Sequence, residues 1–159
     1  LNFHLELLPK PHSIIRQIIL NGLTDFNRNA FMPDLKTEDL AVVIRAVDSK
    51  TIVGGLWAHT SWEWLTIELI FVPESLRKQG IARNLIAMAE EEAIKRGCHA
   101  AWLDTLNSEA LALYERLGYE RFGELKDFPK GGSRTFLQKK LATDVSQPGQ
   151  SSERMAQRS

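Results

Sequence analysis

Cysteine is almost missing from this chain. Cys98 stands alone among 159 residues, so no disulfide can form within the chain and stability must come from packing. That usage suits a reducing, cytoplasmic setting. An excess of either charge is missing too. The 20 Lys and Arg offset the 20 Asp and Glu, so no global field draws the chain to nucleic acid or to an anionic membrane, and neither is expected as a partner. Long hydrophobic runs are absent: apolar runs such as Leu69-Ile70-Phe71-Val72 fall far short of a bilayer span. His4, His12, His59 and His99 are scattered without metal-ligand spacing, so no metal is expected. The opening LNFHLELLPKPHS lacks a basic segment followed by an apolar one, and no signal peptide is expected there. Two common phosphate-binding signatures, GxxxxGK[ST] and GxGxxG, do not occur.

What is present reads as a mixed α/β protein. The length favours one domain, expected over residues 1–141. From 142 the composition turns polar and aperiodic, and residues 142–159 are expected to form a disordered tail. Residues 2–8 alternate loosely and suggest a first strand. Ile14, Ile15, Ile18, Ile19 and Leu23 recur at helical spacing, predicting a helix over 14–27 with Ser13 as its N-cap. Leu40–Val47 and Thr51–Thr60 read as a hairpin around Asp48-Ser49-Lys50. Trp64–Val72 is nearly all apolar and reads as a central strand buried on both faces. A helix follows over Gly80–Arg96. Its apolar face is marked by Ile81, Leu85, Met88 and Ala89, and Glu90-Glu91-Glu92 is expected on the solvated face. Ala100–Thr105 is the next strand, Ser108–Leu117 a shorter helix, and Tyr119–Glu124 and Thr135–Lys139 two closing strands. The order β-α-β-β-β-α-β-α-β-β departs from the regular alternation of a doubly wound sheet.

The most informative segment is VPESLRKQGIARNL, residues 72–85. A buried strand ends at Pro73 and a helix begins near Gly80. Helix N-termini carry unsatisfied N–H groups and bind anions, and a glycine there lets backbone approach a ligand. Arg77, Lys78 and Arg83 add positive charge, so a pyrophosphate would suit the turn. The six residues Arg77-Lys78-Gln79-Gly80-Ile81-Ala82 resemble the Q/R-x-x-G-x-G/A signature of the GNAT acyltransferases. Downstream, Asn107, Ala110, Tyr114, Gly118 and Tyr119 match that family's second pattern, N-x-x-A-x-x-x-Y-x-x-x-G-[FY]. Phe71-Val72-Pro73 stands where the family often has Val-x-Pro, so the proline matches and Phe71 departs. The likeness covers residues 40–140 in order, and residues 1–39 more weakly.

The resemblance implies the family's fold: a central mixed, mostly antiparallel sheet flanked by helices, with its fourth and fifth strands splayed. It implies acetyl-CoA as co-substrate. The pyrophosphate would lie on the backbone of Arg77 to Arg83, and the pantetheine arm along Ile70, Phe71 and Val72. Asn107 and Ala110 would contact the cofactor. Asn107 could equally cap a helix, unless Ser108 does so. Tyr114 would donate its hydroxyl to the departing sulfur, against the plainer reading of a packed helix tyrosine. Glu68 is the only ionisable residue between Leu65 and Val72. A carboxylate inside an apolar strand is costly unless it is paired or used. It is therefore the base candidate, with an ion pair to a neighbouring strand, such as Arg45, as its plainer role. His59 and Asp104 are weaker candidates. Trp57, Trp62 and Trp64, with Phe31, would border the acceptor pocket, though ordinary packing accounts for at least two of the tryptophans. Cys98 reads as a small buried residue.

The expected activity is transfer of an acetyl group to a primary amine, of a small molecule first and of a peptide second. A non-catalytic module that binds CoA esters is the third reading, which Tyr114 and Glu68 disfavour. Many relatives pair as homodimers, and nothing in the sequence defines an interface.

Overall fold

The computed structural model describes residues 3–30 and 36–142. The chain divides into two compact units, residues up to 36 and residues from 37 onward. The expected tail lies outside the described residues, apart from Ala142.

In the first unit, helix α1 spans Ser13–Ala30. Its start differs from expectation. Ser13 is already helical, and the side chain of His12 accepts from Ile14 N–H at 3.3 Å. An imidazole nitrogen here does the work that the sequence assigns to a serine hydroxyl. Residues 3–8 form no strand. Alternation alone cannot hold a strand that has no ladder partner.

The second unit is built on a six-stranded sheet in the order β1-β2-β3-β4-β6-β5. The strands are β1 (Glu38–Arg45), β2 (Ile52–Ser61), β3 (Trp64–Phe71), β4 (Ala100–Thr105), β5 (Glu120–Lys126) and β6 (Ser133–Lys140). All neighbours run antiparallel except β3 and β4. Those two are parallel because helix α2 (Ile81–Lys95) carries the chain back between them. Helix α3 (Ser108–Arg116) follows β4. The strands expected as fourth and fifth are therefore β3 and β4.

One face of the sheet makes the core. Leu56, Ala58, Leu65, Ile67, Ala101, Leu103 and Leu137 are buried there with Leu85, Ile86, Ala89 and Ala93 of α2. The buried stripe of α2 thus runs through Ile86 and Ala93 rather than Met88, which is more than half exposed. Glu90 lies four residues after Ile86 and falls on that stripe. It is not solvated as expected. Lys139 Nζ donates to it at 2.7 Å and Tyr119 Oη at 2.9 Å, so the buried carboxylate is paired.

The run Trp64–Phe71 is not buried on both faces. Leu65 and Ile67 are, but Leu69 and Phe71 are mostly exposed. The register explains the change. Trp57 pairs with Leu69 and Ala58 with Ile67, so Glu68 is an extra residue: a β-bulge.

Candidate active site

The bulge coincides with a fork in the sheet. β3 and β4 pair from Trp64↔Ala100 to Ile67↔Leu103 and no further. Beyond that point β3 keeps its other neighbour, out to Gly55↔Phe71. β4 keeps β6, out to Thr105↔Thr135. Residues Glu68 to Phe71 therefore present to the fork a strand edge with no ladder partner. Such an edge is a template for an extended ligand with amide groups. Gly54 helps seat this end of β3: a Cβ there would stand 2.6 Å from the carbonyl oxygen of Phe71.

The chain leaves β3 through Val72 and Pro73, makes one 3-10 turn at Glu74–Leu76, and enters α2. Arg77 Nε donates to Val72 O at 3.1 Å, and Gln79 Nε2 to Ser75 O at 3.1 Å. These bonds brace the turn. Gly80 caps α2 with φ 76°, a left-handed conformation that favours glycine. A Cβ built on it meets nothing within 4 Å, so the glycine faces open space. The first intrahelical bond runs from Asn84 N–H to Gly80 O, and no side chain caps the helix. The amides of Ile81, Ala82 and Arg83 are thus left to an outside acceptor. With the helix dipole and the basic side chains of Arg77, Lys78 and Arg83, the turn suits a phosphate-bearing ligand.

Tyr114 projects from α3 into the core, where its ring meets Tyr119 edge-on at 6.2 Å. Its hydroxyl has no hydrogen-bond partner among the described residues. Burial, with a smaller contribution from the Asp104 carboxylate, pushes its pKa above the ordinary phenol value. The group therefore stays a donor at neutral and mildly alkaline pH. Ile70, Val72, Ile81 and Ala110 pack against the same core cluster that holds Tyr114. Asn107 takes the plainer of its two roles. Its Oδ1 accepts from Glu109 N–H at 2.8 Å and Ala110 N–H at 3.3 Å, making it the N-cap of α3. Ser108 does not cap.

Glu68 is not buried. Its side chain is 46% exposed and its partner is His59, whose Nδ1 lies 2.8 Å from Glu68 Oε1. Arg45, the expected partner, donates instead to Lys50 O. Alternation from the buried Ile67 puts Glu68 on the sheet face opposite the core, where His59 of β2 sits. Asp104 is held by Arg134 of β6.

The tryptophans do not make one wall. Trp57 pairs with Leu69 at the forked end of β3. Trp62 and Trp64 lie at the other end, where they line a cavity of about 630 Å³ with Trp102, Phe122 and Phe136. Trp62 and Glu63 form the tight turn between β2 and β3, both at positive φ (53° and 59°). Phe31 lies outside the described residues. Cys98 is buried as expected, and burial raises its thiol pKa, so it is poorly suited to act as a nucleophile.

A forked sheet with an uncapped, glycine-led helix beside the fork is the frame of an acyltransferase. Residues 8–119 match the family model described as the acetyltransferase (GNAT) family, and the chain belongs to that family. It is 50% identical over 103 residues to an acetyltransferase of Agrobacterium fabrum, covering 65% of this chain and 74% of that protein. It is 34% identical over 91 residues to the blasticidin-S acetyltransferase of Streptomyces morookaense, covering 57% of this chain and 67% of that protein. Among solved structures, a putative acetyltransferase from Agrobacterium tumefaciens superimposes with a TM-score of 0.79 at 41% identity, over 88% of this chain and 99% of that one. The chain is an acetyltransferase with the mixed α/β fold of its family.

Proposed function

We propose that this acetyltransferase moves the acetyl group of acetyl-CoA directly to a primary amine of a small molecule. The observation that carries the reading is the unpaired edge at Glu68–Phe71 leading into the uncapped N-terminus of α2. One stretch of chain thereby offers backbone donors and acceptors to an amide-bearing arm and, next to them, amides to a pyrophosphate. Ile70, Phe71 and Val72 would hold the arm. Ile81, Ala82 and Arg83 would hold the phosphates through their N–H groups, with charge from Arg77, Lys78 and Arg83.

At the reacting end, Tyr114 would meet the departing sulfur. Full proton transfer from it is unfavourable. A thiol has an ordinary pKa of about 8.5 and a phenol about 10, and burial widens the gap. The hydroxyl is better suited to stabilise the thiolate by a hydrogen bond while solvent or the amine's own proton completes the thiol. Glu68, at the fork, belongs to the group that clears the proton from the incoming ammonium. Asn107 supports the site by fixing the start of α3 rather than by contact.

The likeness to an enzyme named for blasticidin S supports a small-molecule acceptor over a peptide. The test is thiol release from acetyl-CoA against blasticidin S, simple diamines, amino acids and peptide N-termini. Release with small amines and not with peptides supports the reading. Release with peptides alone moves the acceptor class. Acetyl-CoA binding without release for any amine identifies a binding module instead.

A further inference from the structure

The group placed to take the acceptor's proton is not the carboxylate that the sequence draws attention to. We propose that His59 is the proton acceptor of the transfer and that Glu68 is its positioning residue. The inference rests on the function proposed above and assigns the base within it.

His59 Nδ1 and Glu68 Oε1 share a hydrogen bond 2.8 Å long. An ionised carboxylate only accepts, so the proton in this bond sits on Nδ1. In the neutral ring Nε2 is then bare, and its lone pair is the basic site. A carboxylate fixing an imidazole in one tautomer is the arrangement that makes histidine an effective base. Glu68 is poorly placed to be that base itself. One of its oxygens is engaged by the ring.

Position supports the same assignment. Glu68 is the bulged residue immediately after the last β3–β4 pair, so the dyad lies at the crotch of the fork. His59 pairs with Thr66, and Glu68 lies two residues further along β3 on the same face, within reach of the ring. His59 also has Asp39 of β1 directly opposite it. The groups that face the ring are thus Glu68 from β3 and Asp39 from β1, both acidic, with Thr66 beside it. The ring is a quarter exposed, so it is reachable.

The step balances as follows. The acceptor enters as an ammonium, and Nε2 of His59 takes one proton, giving a neutral amine. Its nitrogen lone pair forms the N–C bond at the thioester carbonyl. The C–S bond breaks and its electron pair leaves on sulfur. The second proton lost by the nitrogen completes the thiol, and His59 returns its proton to solvent.

Three readings on the whole chain test the assignment with acetyl-CoA and blasticidin S as probes. They compare wild type, His59→Gln and Glu68→Gln. Nitrogen NMR of the wild type should show His59 protonated on Nδ1 and bare on Nε2 in its neutral form. Acetyl-CoA affinity should be unchanged in both variants, which also shows that they fold. In the pH profile of thiol release, His59→Gln should lose about 100-fold or more and lose the rising limb. Glu68→Gln should keep the limb at a plateau roughly tenfold lower, because the ring is no longer held in its productive tautomer. A rising limb intact in His59→Gln and absent in Glu68→Gln would return the base role to Glu68 and overturn the proposal. So would a His59 proton on Nε2. Failure of the parent reading looks different: the wild type itself would not bind acetyl-CoA, and the tautomer would still decide the dyad.

Discussion

Replacing Gly80 separates backbone strain from ligand contact. The residue sits at φ 76° and its built Cβ touches nothing within 4 Å. A side chain there costs nothing in packing and only the left-handed penalty, about 1–2 kcal/mol. Set against the roughly 5–15 kcal/mol that holds a domain together, Gly80→Ala and Gly80→Val should both fold. Their melting temperatures should fall by roughly 2–8 °C, at about 2–4 °C per kcal/mol. The ligand side differs between the two. The open space beside Gly80 adjoins the free amides of Ile81, Ala82 and Arg83. An isopropyl group there holds a pyrophosphate away from them. A hydrogen bond to a charged group contributes about 1.5–3 kcal/mol, so losing one lowers affinity roughly 10- to 150-fold. Calorimetry with acetyl-CoA should show that loss for Val and a smaller one for Ala, while the two melt within a few degrees of each other. A folded Gly80→Val protein with wild-type affinity would refute the reasoning, because the turn would then not be where the phosphates lie.

Other expectations follow from the tyrosines and from the Lys139–Glu90 ion pair. Tyr114→Phe removes a hydroxyl without a protein partner, so stability should change by less than about 1 kcal/mol, acetyl-CoA affinity should hold, and turnover should fall about 10- to 100-fold. Equal turnover in steady-state thiol release removes Tyr114 from the mechanism. Burial raises the pKa of Tyr114, and burial with the Glu90 carboxylate carries that of Tyr119 well beyond the ordinary range. The folded chain therefore keeps protons that the unfolded chain gives up from about pH 10. Stability should hold below that pH and fall as pH rises through it. Urea melts should show the fall flattening in Tyr119→Phe, and an unchanged slope would count against the cause given. Lys139→Met should destabilise by roughly 1–3 kcal/mol, since it leaves the mostly buried Glu90 with Tyr119 alone. The double variant Lys139→Met, Glu90→Gln should recover part of the loss, and simple additivity of the two would show that they are not coupled.

Much of the architecture is legible in the sequence, and the failures have physical causes. Ala100–Thr105 is bounded as the residues suggest, and the helices around residues 81–95 and 108–116 end at Gly97 and Gly118, both at positive φ. Local signals suffice there: apolar period, small residues and glycine stops. Glu90 and Met88 trade places because the buried stripe of α2 is set by the sheet beneath it, and a pattern of apolar letters leaves its centre open by a residue or two. Residues 3–8 alternate, but a strand is a property of a pair. The apolar letters from Trp64 to Val72 conceal a bulge, and with it the change of face that exposes Leu69 and Phe71. His59 carries only a weak signal in the sequence. Its link to Glu68 depends on register across two strands, and nothing in either segment alone carries that information. Asn107 could be read two ways from the sequence, and the structure shows its capping role.

The central claim is direct transfer from acetyl-CoA to an amine within one site. Mass spectrometry of the protein and of the amine tests it most directly, after reaction with acetyl-CoA labelled in its acetyl group and blasticidin S as acceptor. The account expects the label on the amine, one thiol released per acetyl transferred, and an unmodified protein, in keeping with the buried Cys98. Label on the protein during turnover, or bound acetyl-CoA that yields no acetylated amine, would contradict it.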